Sequence, residues 1–132
     1  MEITRLQPAG LVASPAFSHV AVVPPGSTTI YLGGQNGVNE TGAVVSDDAA
    51  AQSVRAIDNA ETALAAAGAT LADVVAWTVL IVDGTDLAAA YGAIAPRLAG
   101  PGAPPLVTAA RVAGLGVPGA VIEVSAVAAL PG

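Results

Sequence analysis

The sequence predicts an α+β fold: one domain over residues 1–132, with the element order β–β–β–α–β–α–β–β. Three observations carry this reading. The chain has 132 residues, an ordinary size for one domain. It is 54% hydrophobic and 11% charged, against about 45–50% and about 25% in typical domains, so it is not disordered as a whole. Its apolar residues switch between strand-like runs and one long stretch of helical spacing.

The elements follow in order. Ile3 to Leu6 reads as a short strand, followed by a loop that Ser14-Pro15 closes. AFSHVAVV (16–23) and TTIYLG (28–33) are β-rich runs separated by Pro24-Pro25-Gly26-Ser27, which predicts a hairpin. In Gly33-Gly34-Gln35-Asn36-Gly37 the backbone must turn or let another group approach closely. Ser46 reads as an N-cap with Asp47 and Asp48 in the first turn. The helix it opens, over 47–67, has Ala50, Val54, Ile57, Leu64 and Ala67 as its apolar stripe and Gly68 as its stop. Arg55, Asp58 and Glu61 fall on its solvent side. DVVAWTVLIV (73–82) has no polar alternation and reads as a strand buried on both faces. A second helix begins after Thr85, with Leu87, Tyr91, Ile94 and Leu98 inward and Pro96 disturbing its last turn. Two strands finish the chain, LVTAARVA (106–113) and AVIEVSAVA (120–128), joined by GLGVPG.

Two helices cover only one face of such a sheet. The strands at 74–82 and 120–128 are apolar on both faces, so the sequence predicts an oligomer that buries the second face.

Charge and composition exclude whole classes of function. The chain has ten acids, four arginines, no lysine and one histidine, for a net charge of −6. Binding to nucleic acid needs clustered cations, which are missing. There is no cysteine, which removes disulfides, thiolate metal sites and thiol nucleophiles. One histidine cannot supply a multi-histidine metal site. The first residues lack a basic region followed by an apolar run, and no 18-residue apolar stretch exists, so neither a secretory signal nor a membrane span is expected. The location this predicts is the cytoplasm.

Few residues interrupt the apolar pattern in a way that suggests chemistry. Glu123, in AVIEVSA, sits mid-strand with Val121, Ser125 and Val127 on its face. A carboxylate there is either an ion-pair partner or a site group. Arg111, in TAARVAG, is the natural partner candidate, or else an anchor for a ligand carboxylate. His19 reads as a hydrogen-bonded strand residue ahead of a general base. Gln35 and Asn36 either satisfy their own turn or donate to a ligand. GGQNG lacks the Gly-Lys-Ser/Thr ending of a phosphate loop. Ser18, Thr108 and Ser125 have no Asp–His pair nearby in sequence, so a hydrolase triad is unsupported. Trp77 and Tyr91 read as core aromatics.

Together, FSHVAVVPPGSTTIYLGGQNGV, ETGAVV, QSVRAIDNAETALAAAGATLADVVAWTVLIVD, PPLVTAARVAGL and PGAVIEVSAVA resemble the RidA family, also called YjgF/YER057c/UK114. The similarity runs from about residue 15 to 129. It implies a chorismate-mutase-like fold, a homotrimer and ligand clefts between subunits. It also implies hydrolysis of enamines and imines such as 2-aminoacrylate, with no metal or cofactor. In that family an arginine binds the substrate carboxylate, and a glutamate with backbone groups holds the attacking water. Carried over by position, the glutamate is Glu123, the cleft aromatic is Phe17, and the small residue before glutamine is Gly34, followed by Gln35. The arginine position is Val107, with Thr108 after it and Ala109 next along. The asparagine near the start of the second helix is missing, with Ala88 or a gap there. Arg111 lies about 13 Å further along the strand than Val107 at about 3.3 Å per residue, too far for direct replacement.

Three functions are consistent with this pattern. The first is a divergent cleft for a small, less acidic or uncharged carbonyl, imine or amide, with Glu123 handling water or a proton. The second is an imine deaminase working without its arginine. The third is a non-catalytic trimer that binds a metabolite or a protein.

Overall fold

A computed structural model describes residues 2–132. Two sheets and three helices form among the described residues: β1 (Thr4–Leu6), β2 (Val20–Val22), β3 (Thr28–Asn36), α1 (Ala49–Ala66), β4 (Val74–Val82), α2 (Leu87–Gly92), α3 (Ala95–Ala99), β5 (Leu106–Val112) and β6 (Ile122–Leu130). A 3-10 turn at Leu71–Asp73 leads into β4. The main sheet has the order β3-β6-β4-β5, and β1 pairs with β2 in a separate ribbon. β6 runs antiparallel to both β3 and β4, while β5 runs parallel to β4. The parallel pair requires a crossover, and α2 with α3 supplies it.

The core lies between α1 and one face of this sheet. Ala56, Ile57, Ala60 and Leu64 of α1 meet Trp77, Val79 and Ile81 of β4 and Ile122, Val124 and Ala128 of β6. The alanines on α1 let the helix approach closely, so the small aromatic content of the sequence does not prevent a dry core. Because side chains alternate along a strand, the other face carries Ala76, Thr78 and Leu80 on β4 and Glu123, Ser125 and Val127 on β6. No helix covers it, and Tyr31 of β3 is 80% exposed there.

Several expectations are corrected. The hairpin between residues 16–23 and 28–33 does not form. β2 pairs instead with β1 (Leu6↔Val20), and β3 pairs with β6 (Ile30↔Ala128, Leu32↔Ala126). The long-range partner wins because it puts Ile30 and Leu32 against the core, which the three-residue β2 cannot do. The glycine run is a bulge within β3: Leu32 pairs with Ala126 and Gln35 with Val124, leaving Gly33 and Gly34 opposite one residue. Asp48, not Ser46, caps α1 by accepting from the Ala51 N–H at 2.9 Å. Ser46 accepts from Asp48 N–H instead. The buried stripe of α1 runs through Gln52, Ser53, Ala56, Ile57, Ala60 and Leu64, while Val54 is 40% exposed. Pro96 does more than disturb a last turn: it splits the expected second helix, and α3 starts afresh with the proline in its first turn.

Candidate functional site

Glu123 lies in the middle of β6, opposite Leu80 of β4 and Asn36 of β3. It is half-buried, and no salt bridge involves it among the described residues. Its carboxyl group rests over the backbone of Gly34. A Cβ at Gly34 would sit 2.7 Å from Glu123 Cδ and 2.8 Å from Oε2, so only glycine leaves the carboxylate where it is.

A polar lattice fixes both strands at this point. Asn36, buried, donates through Nδ2 to the Ile122 carbonyl at 2.9 Å. Asn59 of α1 donates to the carbonyls of Asn36 and Val38 at 3.0 and 2.9 Å, and accepts from Arg55 Nε at 3.1 Å. Gln52 reaches the segment entering β6: Nε2 donates to the Ser46 and Gly119 carbonyls, and Oε1 accepts from Val121 N–H at 2.9 Å. Gly37 lets α1 come this close, because a Cβ there would meet the Gln52 backbone at 2.5 Å. The role of Gln52 is not among the sequence expectations. The available signal is a glutamine at helical spacing with Ala56 and Ala60, where a buried amide must find partners.

On the same open face, Thr108, Thr78 and Ser125 form one row across β5, β4 and β6. A depression of about 310 Å³ beside them is lined by Tyr31, Gly33, Ala76, Thr78, Ser125 and Val127. Gln35 donates to the Gly33 carbonyl at 3.2 Å, so its amide serves its own turn here.

Val107 and Arg111 belong to the opposite face. Val107 is in register with Trp77 and packs against the core. Ala109, on the same side of β5, lines a groove of about 680 Å³ with Leu87, Ala88, Tyr91 and Gly92. Burial pushes the Tyr91 hydroxyl pKa up from its ordinary value. Arg111 is in register with Ile81, and its guanidinium donates weakly to the Thr85 carbonyl at 3.4 Å. It cannot be the ion-pair partner of Glu123: β4 lies between their strands, and they face opposite ways.

Phe17 stands at a third place. Its ring meets His19 edge-on at 5.4 Å. Ser18 ties this segment to the start of β5, donating through N–H to the Pro105 carbonyl and through Oγ to the Pro104 carbonyl. His19 Nε2 bonds the Val12 carbonyl at 2.6 Å, which gives the ring a local structural partner. Within one chain, then, Glu123, Gly34 and Thr108 share a face, Val107 and Arg111 share the other, and Phe17 joins neither. No cluster of three or more His, Cys, Asp or Glu side chains able to hold a metal ion occurs among the described residues. No helix among them is long and apolar enough to cross a membrane.

This class of structure is a mixed α+β sheet with helices on one face and its candidate groups divided between two surfaces. The chain matches the family described as Endoribonuclease L-PSP over residues 9–130, and it belongs to that family, which includes the RidA and YjgF/YER057c/UK114 proteins. Among solved structures it is similar to a protein of unknown function of the conserved Rid family from Yersinia pestis. That likeness has 28% identity and a TM-score of 0.84, over 98% of this chain and 100% of the other. It is also similar to a member of the YjgF/YER057c/UK114 family from Mycobacterium tuberculosis, with 26% identity and a TM-score of 0.62, over 98% and 100% of the two chains. RidA from an Antarctic Psychrobacter, at 24% identity and a TM-score of 0.67 over 90% of this chain and 98% of that one, shares the fold. A search of the curated proteins returns no match.

Proposed function

We propose that this protein is a homotrimeric, cytoplasmic RidA-like protein whose cleft, formed between subunits, takes a small carbonyl, imine or enamine metabolite. The observation that supports it most is the division of the candidate residues. Glu123 and Gly34 lie on one face, and Val107, Ala109 and the α2 groove lie on the other. Only a second copy can bring the two half-sites together. The uncovered sheet face, where Tyr31, Leu80 and Val127 lie among Thr78, Thr108 and Ser125, gives that copy a surface to pack against.

In this reading Glu123 accepts a proton from water as the oxygen adds to the imine carbon, and the nitrogen gains a proton. The C–N bond then breaks, leaving a carbonyl product and ammonia. Gly34 leaves the carboxylate room to meet that water. Val107 removes the arginine clamp that the resemblance implies for a 2-imino acid. Losing a charge-assisted hydrogen bond costs about 1.5–3 kcal/mol, or roughly 10- to 150-fold in affinity.

The test is hydrolysis of enzymatically generated 2-aminoacrylate with and without the protein. Acceleration that Glu123→Gln abolishes supports the reading. Val107→Arg is expected to raise turnover, because the long stem can lie along apolar surface with its charge in the groove.

The second reading is a non-catalytic trimer that binds a metabolite or a protein. It is favoured by Val107 packing against the core, which leaves no cation at the position the resemblance gives to the carboxylate clamp. Under it, no acceleration occurs and Glu123→Gln leaves binding intact.

A further inference from the structure

We infer that Arg5 holds one monatomic anion, chloride or another halide, in a small cavity between β1, the start of β4 and the loop that leads into β5. The cavity shares no lining residue with the α2 groove, and the inference does not rest on the proposed function.

The four arginines of the chain differ in how their charge is met. Arg55 lies 3.9 Å from Glu40, and Arg97 lies 2.8 Å from Asp58 and 3.6 Å from Glu61. Arg111 is exposed to water. Arg5 is half-buried, because alternation along β1 turns it under the ribbon while Thr4 and Leu6 face solvent. It has no carboxylate within 4.0 Å among the described residues, in a chain with ten acids. Its guanidinium makes one hydrogen bond among them, a long one of 3.4 Å from Nη2 to the Val74 carbonyl. Its Nε is buried and has no acceptor. A charged donor that has left water without an acceptor is costly, and such a group calls for an ion or a water beside it.

The cavity decides the charge and the size of the occupant. Arg5 lines it and supplies its only polar side chain; every other lining residue is aliphatic, glycine or proline. A cation is thus the one charge that faces the space, and no carboxylate is there to repel an anion. The volume is about 20 Å³. One water needs about 10–15 Å³, so the space admits a single small particle and not a tetrahedral oxyanion. Ala72, Gly100, Pro101 and Ala103 are exposed in its walls, which gives an ion a way in from solvent. A halide there accepts from Nε and from an Nη of the guanidinium, bonds strengthened by charge. Its place also gives it a mechanical role. Pro105 lines the cavity, precedes β5 and accepts from Ser18 N–H at 3.0 Å. The anion therefore ties β1 to the entry of β5 and to the segment that carries Phe17.

The experiment follows thermal unfolding of the purified protein as sodium chloride replaces sodium gluconate stepwise at fixed ionic strength. The midpoint is expected to rise with chloride, as binding to the folded state requires, and bromide is expected to act as chloride does. Arg5→Gln should need roughly tenfold more chloride, or higher still, for the same rise. Arg97→Gln, which removes the same charge elsewhere, should keep the dependence of the unsubstituted protein. If Arg5→Gln does not fold, crystals of the unsubstituted protein grown in sodium bromide decide the matter: an anomalous peak within hydrogen-bond reach of Arg5 Nε is expected. A midpoint indifferent to chloride, an equal dependence in Arg5→Gln, or a cavity that holds only water in bromide would each overturn the inference. A bromide peak without stabilisation by chloride would mean an adventitious ion only, and overturns it as well.

Discussion

Glu123 and Gly34 constrain each other. A methyl group at Gly34 would collide with the carboxyl end of Glu123, and that end is flexible enough to swing aside. Gly34→Ala is therefore expected to keep the fold, with a stability change under about 1 kcal/mol. It should cut turnover by about 10- to 100-fold by displacing the carboxylate. A thermal melt together with the hydrolysis assay checks both halves; lost stability with intact turnover would contradict it. At this scale the sequence was informative about which residues were unusual and silent about which way they faced. Glu123 and Arg111 each interrupt an apolar strand and so stand out. Their opposite orientation depends on strand register, which the parallel pairing of β4 with β5 sets. Gln35 and His19 both bond backbone carbonyls nearby, as short-range reasoning about polar groups expects.

Element by element, the sequence is most legible where local signals are complete. α1 has its cap, its stripe and its Gly68 stop, and Gly68 has a φ of +78° at the helix end. The cap moved two residues because Asp48 reaches the Ala51 N–H while Ser46 bonds Asp48, a choice between neighbours that composition does not decide. The expected hairpin that does not form and the bulge in β3 have a common cause. Strand partners are selected by which pairing buries Ile30 and Leu32, and that is a property of distant residues. Gln52 links α1 to the start of β6 through three hydrogen bonds. Gln52→Ala removes the partner of the part-buried Val121 N–H and of two carbonyls, at about 0.5–1.5 kcal/mol per hydrogen bond lost. We expect a clear drop in the unfolding midpoint and a loosened Glu123 strand, seen as faster amide exchange at 121–124. Unchanged exchange there would show that Gln52 does not hold the strand.

For the whole molecule, the sheet has a covered side and an uncovered one. Apolarity on both faces of 74–82 and 120–128 is readable from sequence, and it anticipated a surface that α1, α2 and α3 do not cover. The candidate site was legible as a set of residues but not as a place, because its members meet only if copies of the chain do. That is the central claim. Its most direct test is the mass of the purified protein by light scattering at micromolar concentration. The account predicts a single species at three times the 12.7 kDa of the chain. A monodisperse species of one chain's mass would contradict it, since Glu123 and the α2 groove would then have no means of facing each other.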